Sequence, residues 1–133
     1  MIEIDFETVP SRRARILVVE DEILIRLMIC DGLRDTGEAL VISAASADEA
    51  WDYLVAEDGS VDLVFTDHRM PGTLTGAQLA AKVSMRFPNI RVVVTSGFFD
   101  GSEWKGPVLP KPYDLDETVA MLVKDARLAR GEM

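Results

Sequence analysis

The sequence predicts an α/β domain built on a parallel sheet with helices on both faces. Three observations support this. Short β-branched runs recur along the chain, they are almost continuously apolar rather than alternating, and segments with helix-start signals separate them. Continuous apolar runs suit parallel strands buried on both faces. Alternation of strand and helix places crossovers on both sides of the sheet, and their right-handedness leaves few topologies.

The elements follow in order. In the first ten residues Ile2, Ile4 and Phe6 alternate with Glu3, Asp5 and Glu7. This stretch is expected to be a frayed tail, with an arm that adds to a sheet edge as the alternative. Strands are expected at Ile16-Leu17-Val18-Val19, Val41-Ile42, Val61 to Phe65, Val92-Val93-Val94 and Val108-Leu109. Ser46 with Glu49, Thr75 with Gln78 and Asp114 with Glu117 each place a capping side chain three residues before Glu or Gln, which marks helix starts. The last helix repeats apolar residues at Leu115, Val119, Leu122 and Ala126, on one face. A helix and a strand must share the segment from Thr95 to Lys111, which contains Gly97, Gly101, Gly106 and Pro107. The fourth helix is therefore expected to be short or irregular.

Composition narrows the function. A chain of 133 residues suits one domain. Net charge is -9, from 14 basic and 23 acidic residues. That argues against a sequence-independent grip on nucleic acid and against adsorption to anionic membrane. The single cysteine, Cys30, excludes an internal disulfide and reads as a buried small hydrophobe. Met1 to Pro10 lacks the basic and apolar regions of a signal peptide, and no apolar run reaches a membrane span. The expected location is cytoplasmic.

Chemistry-bearing residues stand where the strands end: Glu20-Asp21, Asp67, Thr95-Ser96 and Lys111-Pro112. In a parallel sheet wound on both sides, these ends form one edge, where function gathers. Each set has an ordinary explanation by itself. Glu20-Asp21 could cap a helix, Thr95 could be a plain strand residue, and Lys111 a solvated charge. Asp67-His68-Arg69 could lead into a turn at Met70-Pro71-Gly72. Their joint placement favours a shared cleft. Three clustered carboxylates repel one another and call for a counter-charge. A hard divalent cation with oxygen ligands provides it, and Mg²⁺ suits a few carboxylates with open water positions. A carboxylate beside such a site can attack a phosphoryl group, whose oxygens the lysine and hydroxyl then stabilise.

Four stretches resemble a response-regulator receiver domain, the phosphoacceptor half of two-component signalling. They are Ile16 to Glu22, Asp62 to Gly72, Val92 to Gly97, and Leu109 to Tyr113. The resemblance runs from about Arg15 to Ala129. It implies a flavodoxin-like, doubly wound five-stranded sheet in the order 2-1-3-4-5. It also implies a receiver unit over 15–130 behind an N-terminal extension over 1–14. Asp67 would be the phosphoacceptor, with Thr95 and Lys111 on the phosphoryl oxygens. Asp21 would ligate Mg²⁺ directly, Glu20 would assist through water, Asp67 would share the ion, and Arg69 would offer its backbone carbonyl. Lys111-Pro112 would be cis.

The sequence departs from the family pattern in two places. Glu20 stands where the family more often has Asp. Val108, three residues before Lys111, stands where the family usually has a switch aromatic, and Phe98 or Phe99 are candidates to replace it. His68, with no Cys or His partner, is expected at the cleft rim rather than on a metal. The Arg69 side chain is expected to cover the phosphoryl site and slow attack by water.

The implied function is to receive a phosphoryl group from a histidine kinase or histidine phosphotransfer protein. The chain would signal by binding another protein or act as a phosphate sink, as a monomer or weak dimer. It would turn over no other substrate. The chain is expected to be stand-alone, with a fragment of a hybrid kinase as the alternative. An Asp-nucleophile, Mg-dependent phosphatase is the alternative chemistry, but Arg69 occupies the position of its second Asp. A flavin-binding module would need a phosphate loop where Glu20-Asp21-Glu22 stands.

Overall fold

The chain alternates strand and helix as β1 (Ala14–Val19), α1 (Ile23–Asp35), β2 (Ala39–Ala44), α2 (Ala47–Ala56), β3 (Leu63–Asp67), α3 (Gly76–Arg86), β4 (Arg91–Ser96), β5 (Val108–Pro110) and α4 (Leu115–Ala129). The structure is a computed structural model that describes residues 13–97 and 104–132. The expected N-terminal tail lies almost wholly outside the described residues. So does the stretch 98–103, which holds Phe98, Phe99 and most of the expected fourth helix.

All pairings are parallel, in the order β2-β1-β3-β4-β5. Successive residues of a strand face opposite sides of the sheet, and two cores follow. Ile16, Val18, Leu63, Phe65 and Val93 pack under α1 and α4 with Leu33, Leu122 and Ala126. Leu17, Val19, Val64, Val92 and Val94 pack under α2 and α3 with Leu54, Leu79 and Val83. Cys30 is buried in the first of these.

Burial on both faces holds for β1, β3 and β4 but not for the edges. β2 and β5 are partly exposed, and Val108 is 38% exposed. An edge strand has a neighbour on one side only, so apolar runs overstate its burial. β1 also begins earlier than Ile16, because Ala14 pairs with Ala39 and the Arg15 N–H donates to the Asp62 carboxylate.

The three start signals work as caps. Ser46 and Asp114 accept from the N–H groups of Glu49 and Glu117. Only Thr75 and Gln78 form the reciprocal capping box. The Glu49 carboxylate reaches one residue further back, to the Ala45 N–H. α1 starts at Glu22 without a side-chain cap. The helix is held instead by tertiary packing of Ile29, Cys30 and Leu33 in its second half.

Leu79 is fully buried and Met85, on the same helix, is 87% exposed. Leu79→Ala should cost about 2–5 kcal/mol. Met85→Ala should stay within about 0.5 kcal/mol of wild type. Urea unfolding midpoints of the two variants check this.

Candidate functional site

Register brings the strand ends level. Val19 pairs with Thr66, Asp67 with Thr95, and Ser96 with Pro110. Glu20, Asp67, Thr95 and Lys111 therefore meet at the carboxyl edge of the three central strands and β5. Carboxylate oxygens of Glu20, Asp21 and Asp67 all lie within 4.8 Å of one another. Lys111 Nζ lies 2.8 Å from Asp67 Oδ1. The expected convergence is present, and the Lys111-Pro112 bond is cis.

Burial makes the cluster costly. Glu20 is 2% exposed and Asp67 8%. Burial is the main force that lifts the Glu20 carboxyl from 4.5 to about 7, and the charges of Asp67 and Asp21 add to it. The Glu22 N–H, which donates to Glu20 Oε2 at 3.0 Å, and the Lys111 ammonium oppose the rise. Burial pulls Lys111 downward, but its bond to Asp67 and the charges of Asp67 and Glu20 outweigh that and raise it. Lys111 is thus held as a cation. Burial raises the Tyr113 hydroxyl, and its ring meets Phe65 edge-on at 6.1 Å.

The residues fit a divalent cation. The donors are hard oxygens, and one lysine cannot balance three carboxylates. Burial chiefly, with repulsion from Asp67 and Asp21 added, raises the Glu20 carboxyl, and a cation among the three would favour its charged form. Thr95 Oγ1 is buried with no hydrogen-bond partner among the described residues. A buried hydroxyl left unpaired costs about 1–3 kcal/mol and marks a group awaiting an acceptor.

Arg69 is exposed, two residues beyond Asp67. His68 is half-buried at the rim, as expected, but it also has a structural task. Its Nδ1 accepts from the Ala77 N–H at 3.4 Å, at the start of α3. Val108 pairs with Val94 on the edge strand.

Sequence reasoning missed several supports. A Cβ on Gly76 would sit 1.9 Å from the Asp67 carbonyl oxygen and 2.9 Å from His68 Cα. Only glycine permits this approach of α3 to the strand that carries Asp67. The Thr66 hydroxyl donates to the Asp67 carbonyl at 2.9 Å. Arg26 Nη1 donates to the Glu20 carbonyl at 2.8 Å. The spacing Thr75-Gly76, a cap followed by glycine, was a visible signal for the first. The others depend on tertiary contacts.

The family model "Response regulator receiver domain" matches residues 16–104, more than half of the chain. The hydrogenase transcriptional regulatory protein HoxA of Cupriavidus necator is 38% identical over 95 residues, which are 70% of this chain and 18% of that protein. Response regulator Rre1 of a Synechocystis strain is 34% identical over 116 residues, which are 80% of this chain and 49% of that protein. The chain thus spans less than half the length of either curated relative. The solved receiver domain of the hybrid histidine kinase CckA is 34% identical, with a TM-score of 0.70. That match covers 85% of this chain and 98% of that one.

The Glu20 environment sets a pH test in metal-free protein. Its pKa is higher folded, about 7, than its ordinary 4.5. Its contribution to stability is therefore full below pH 4.5 and lost as pH rises through 7. Glu20→Gln mimics the protonated form. In EDTA it should match wild type at pH 4.5 and exceed it by about 2–3 kcal/mol at pH 8. Denaturant unfolding at the two pH values checks this, and an equal difference at both would contradict it.

Proposed function

The chain belongs to the response regulator receiver domain family, and from that premise we propose that it accepts a phosphoryl group on Asp67. The observation that carries this is the meeting of Asp67 with Lys111 at 2.8 Å inside an acidic group 4.8 Å across. An Asp67 carboxylate oxygen attacks phosphorus. The new O–P bond forms as the N–P bond to a partner's phosphohistidine breaks, and the imidazole leaves with the electron pair and takes up a proton. Lys111 pairs with the phosphoryl oxygens, and the unpartnered Thr95 hydroxyl donates to one of them.

Mg²⁺ would be held by Asp21 and Asp67, by Glu20 through water and by the Arg69 backbone carbonyl. When bound, it offsets the charge shared by the carboxylates and the phosphoryl group. The domain turns over no other substrate, and its acyl phosphate is a signal.

The phosphoryl donor is a histidine kinase or histidine phosphotransfer protein, and the setting is cytoplasmic. No helix among the described residues is long and apolar enough to cross a membrane. Just past Asp21, Ile23, Leu24, Leu27 and Met28 are exposed at 59%, 73%, 47% and 54%, on one face of α1. An apolar patch of this kind suits a protein partner that must bring its histidine to Asp67. The signal passes on by protein contact or ends in a phosphate sink.

Incubation with acetyl phosphate and Mg²⁺ should give one phosphate adduct by intact mass. Asp67→Asn should give none, EDTA should abolish it, and Lys111→Ala should slow it by about a hundredfold. An adduct of equal size on Asp67→Asn would overturn the assignment.

A further inference from the structure

The loop from His68 to Thr75 joins β3 to α3 and carries Arg69. It is pinned at both ends. At the near end, the His68 N–H donates to the Thr95 carbonyl at 3.0 Å, and the His68 carbonyl accepts from the Gly76 N–H at 2.8 Å. At the far end, the pin comes from another helix. Asp48 Oδ2 accepts from the Thr73 N–H at 2.7 Å, and Asp48 Oδ1 accepts from the Leu74 N–H at 3.1 Å. Gly72 is shaped to this grip. Its φ is +119°, and a Cβ there would lie 2.6 Å from Asp48 Oδ2.

The cap bonds of the helix that carries Asp48 are made by other residues. Ser46 caps α2 on the Glu49 N–H, and the Glu49 carboxylate takes the Ala45 N–H. The two carboxylate oxygens of Asp48 instead reach a loop 25 and 26 residues away. Hydrogen bonds from backbone N–H to a carboxylate are among the stronger kinds.

We propose that Asp48 is a positioning residue of the acidic site, whose grip on Thr73 and Leu74 sets the course of the loop that offers the Arg69 carbonyl to the cation. This rests on the metal-binding part of the proposed function. Asp48 stands outside the group Glu20, Asp21 and Asp67, so it acts through the loop. With pins at His68 and at Thr73-Leu74, the residues 69–72 form a short arc. Without the second pin, the free segment extends to Thr75, and binding a cation must then order more chain. Supports of this indirect kind commonly change metal affinity by tenfold or more.

Calorimetric titration of chelator-stripped protein with MgCl₂ alone tests this, alongside amide hydrogen exchange. Asp48→Ala should weaken Mg²⁺ binding about tenfold and speed exchange at Thr73 and Leu74. Asp48→Asn keeps one acceptor oxygen and should fall between; it carries the test if the alanine variant does not fold. Ser46→Ala removes the cap of the same helix and should keep wild-type affinity. Unchanged affinity in the Asp48 variants despite faster exchange would overturn the positioning role and leave the metal site standing. Equal weakening by Ser46→Ala would overturn it too, because helix stability would then explain the loss. Failure of the wild type to take up Mg²⁺ would overturn the metal site itself and the positioning role with it.

Discussion

Repulsion among three carboxylates at one edge of a sheet is the constraint around which this molecule is arranged. Glu20, Asp21 and Asp67 come from two strand ends that the parallel register forces together. The sheet cannot separate them without breaking its own ladder. The fold therefore holds the charges in place, and the surroundings must compensate. Lys111 does so in part, while burial, with the charges of Asp67 and Asp21 added, holds the Glu20 carboxyl well above its ordinary value. A structural ion pair would bring charges into balance. Here the imbalance is built in, as the proposed uptake of a cation and then a phosphoryl group requires.

The same edge explains why the supports are mostly backbone contacts. The Asp67 carbonyl receives the Thr66 hydroxyl and leaves room only for a glycine at position 76. The Glu20 carbonyl receives Arg26. The next N–H after Asp67 is tied to the Thr95 carbonyl. These contacts fix the chain that carries the reactive side chains while leaving their carboxylate and hydroxyl oxygens available.

Much of this was legible in the sequence for a definite reason. Strands β1, β3 and β4 are buried on both faces, so their apolar runs are unbroken, and the polar residues that end them stand out. Helix starts were legible because a cap and its partner are three residues apart. The edges were less legible. β2 and β5 are half exposed, and α1 has no cap to announce it. The order of the strands and the roles at the site came from resemblance rather than from periodicity. Gly76, Arg26 and Asp48 escaped notice because their importance lies in contacts with residues distant in the chain or in a close backbone approach. His68 is half-buried, in keeping with the sequence, but its bond to the start of α3 depends on the turn of the loop.

In the proposed site, carboxylates from two strand ends hold one cation, and Lys111 from a third stands beside Asp67. Paramagnetic broadening by Mn²⁺, read from the backbone amide spectrum, tests it most directly. Substoichiometric Mn²⁺ should broaden the amides of Glu20, Asp21, Asp67 and Lys111 together, and excess Mg²⁺ should restore them. Broadening spread over the acidic surface, or confined to residues away from these three strand ends, would contradict the account.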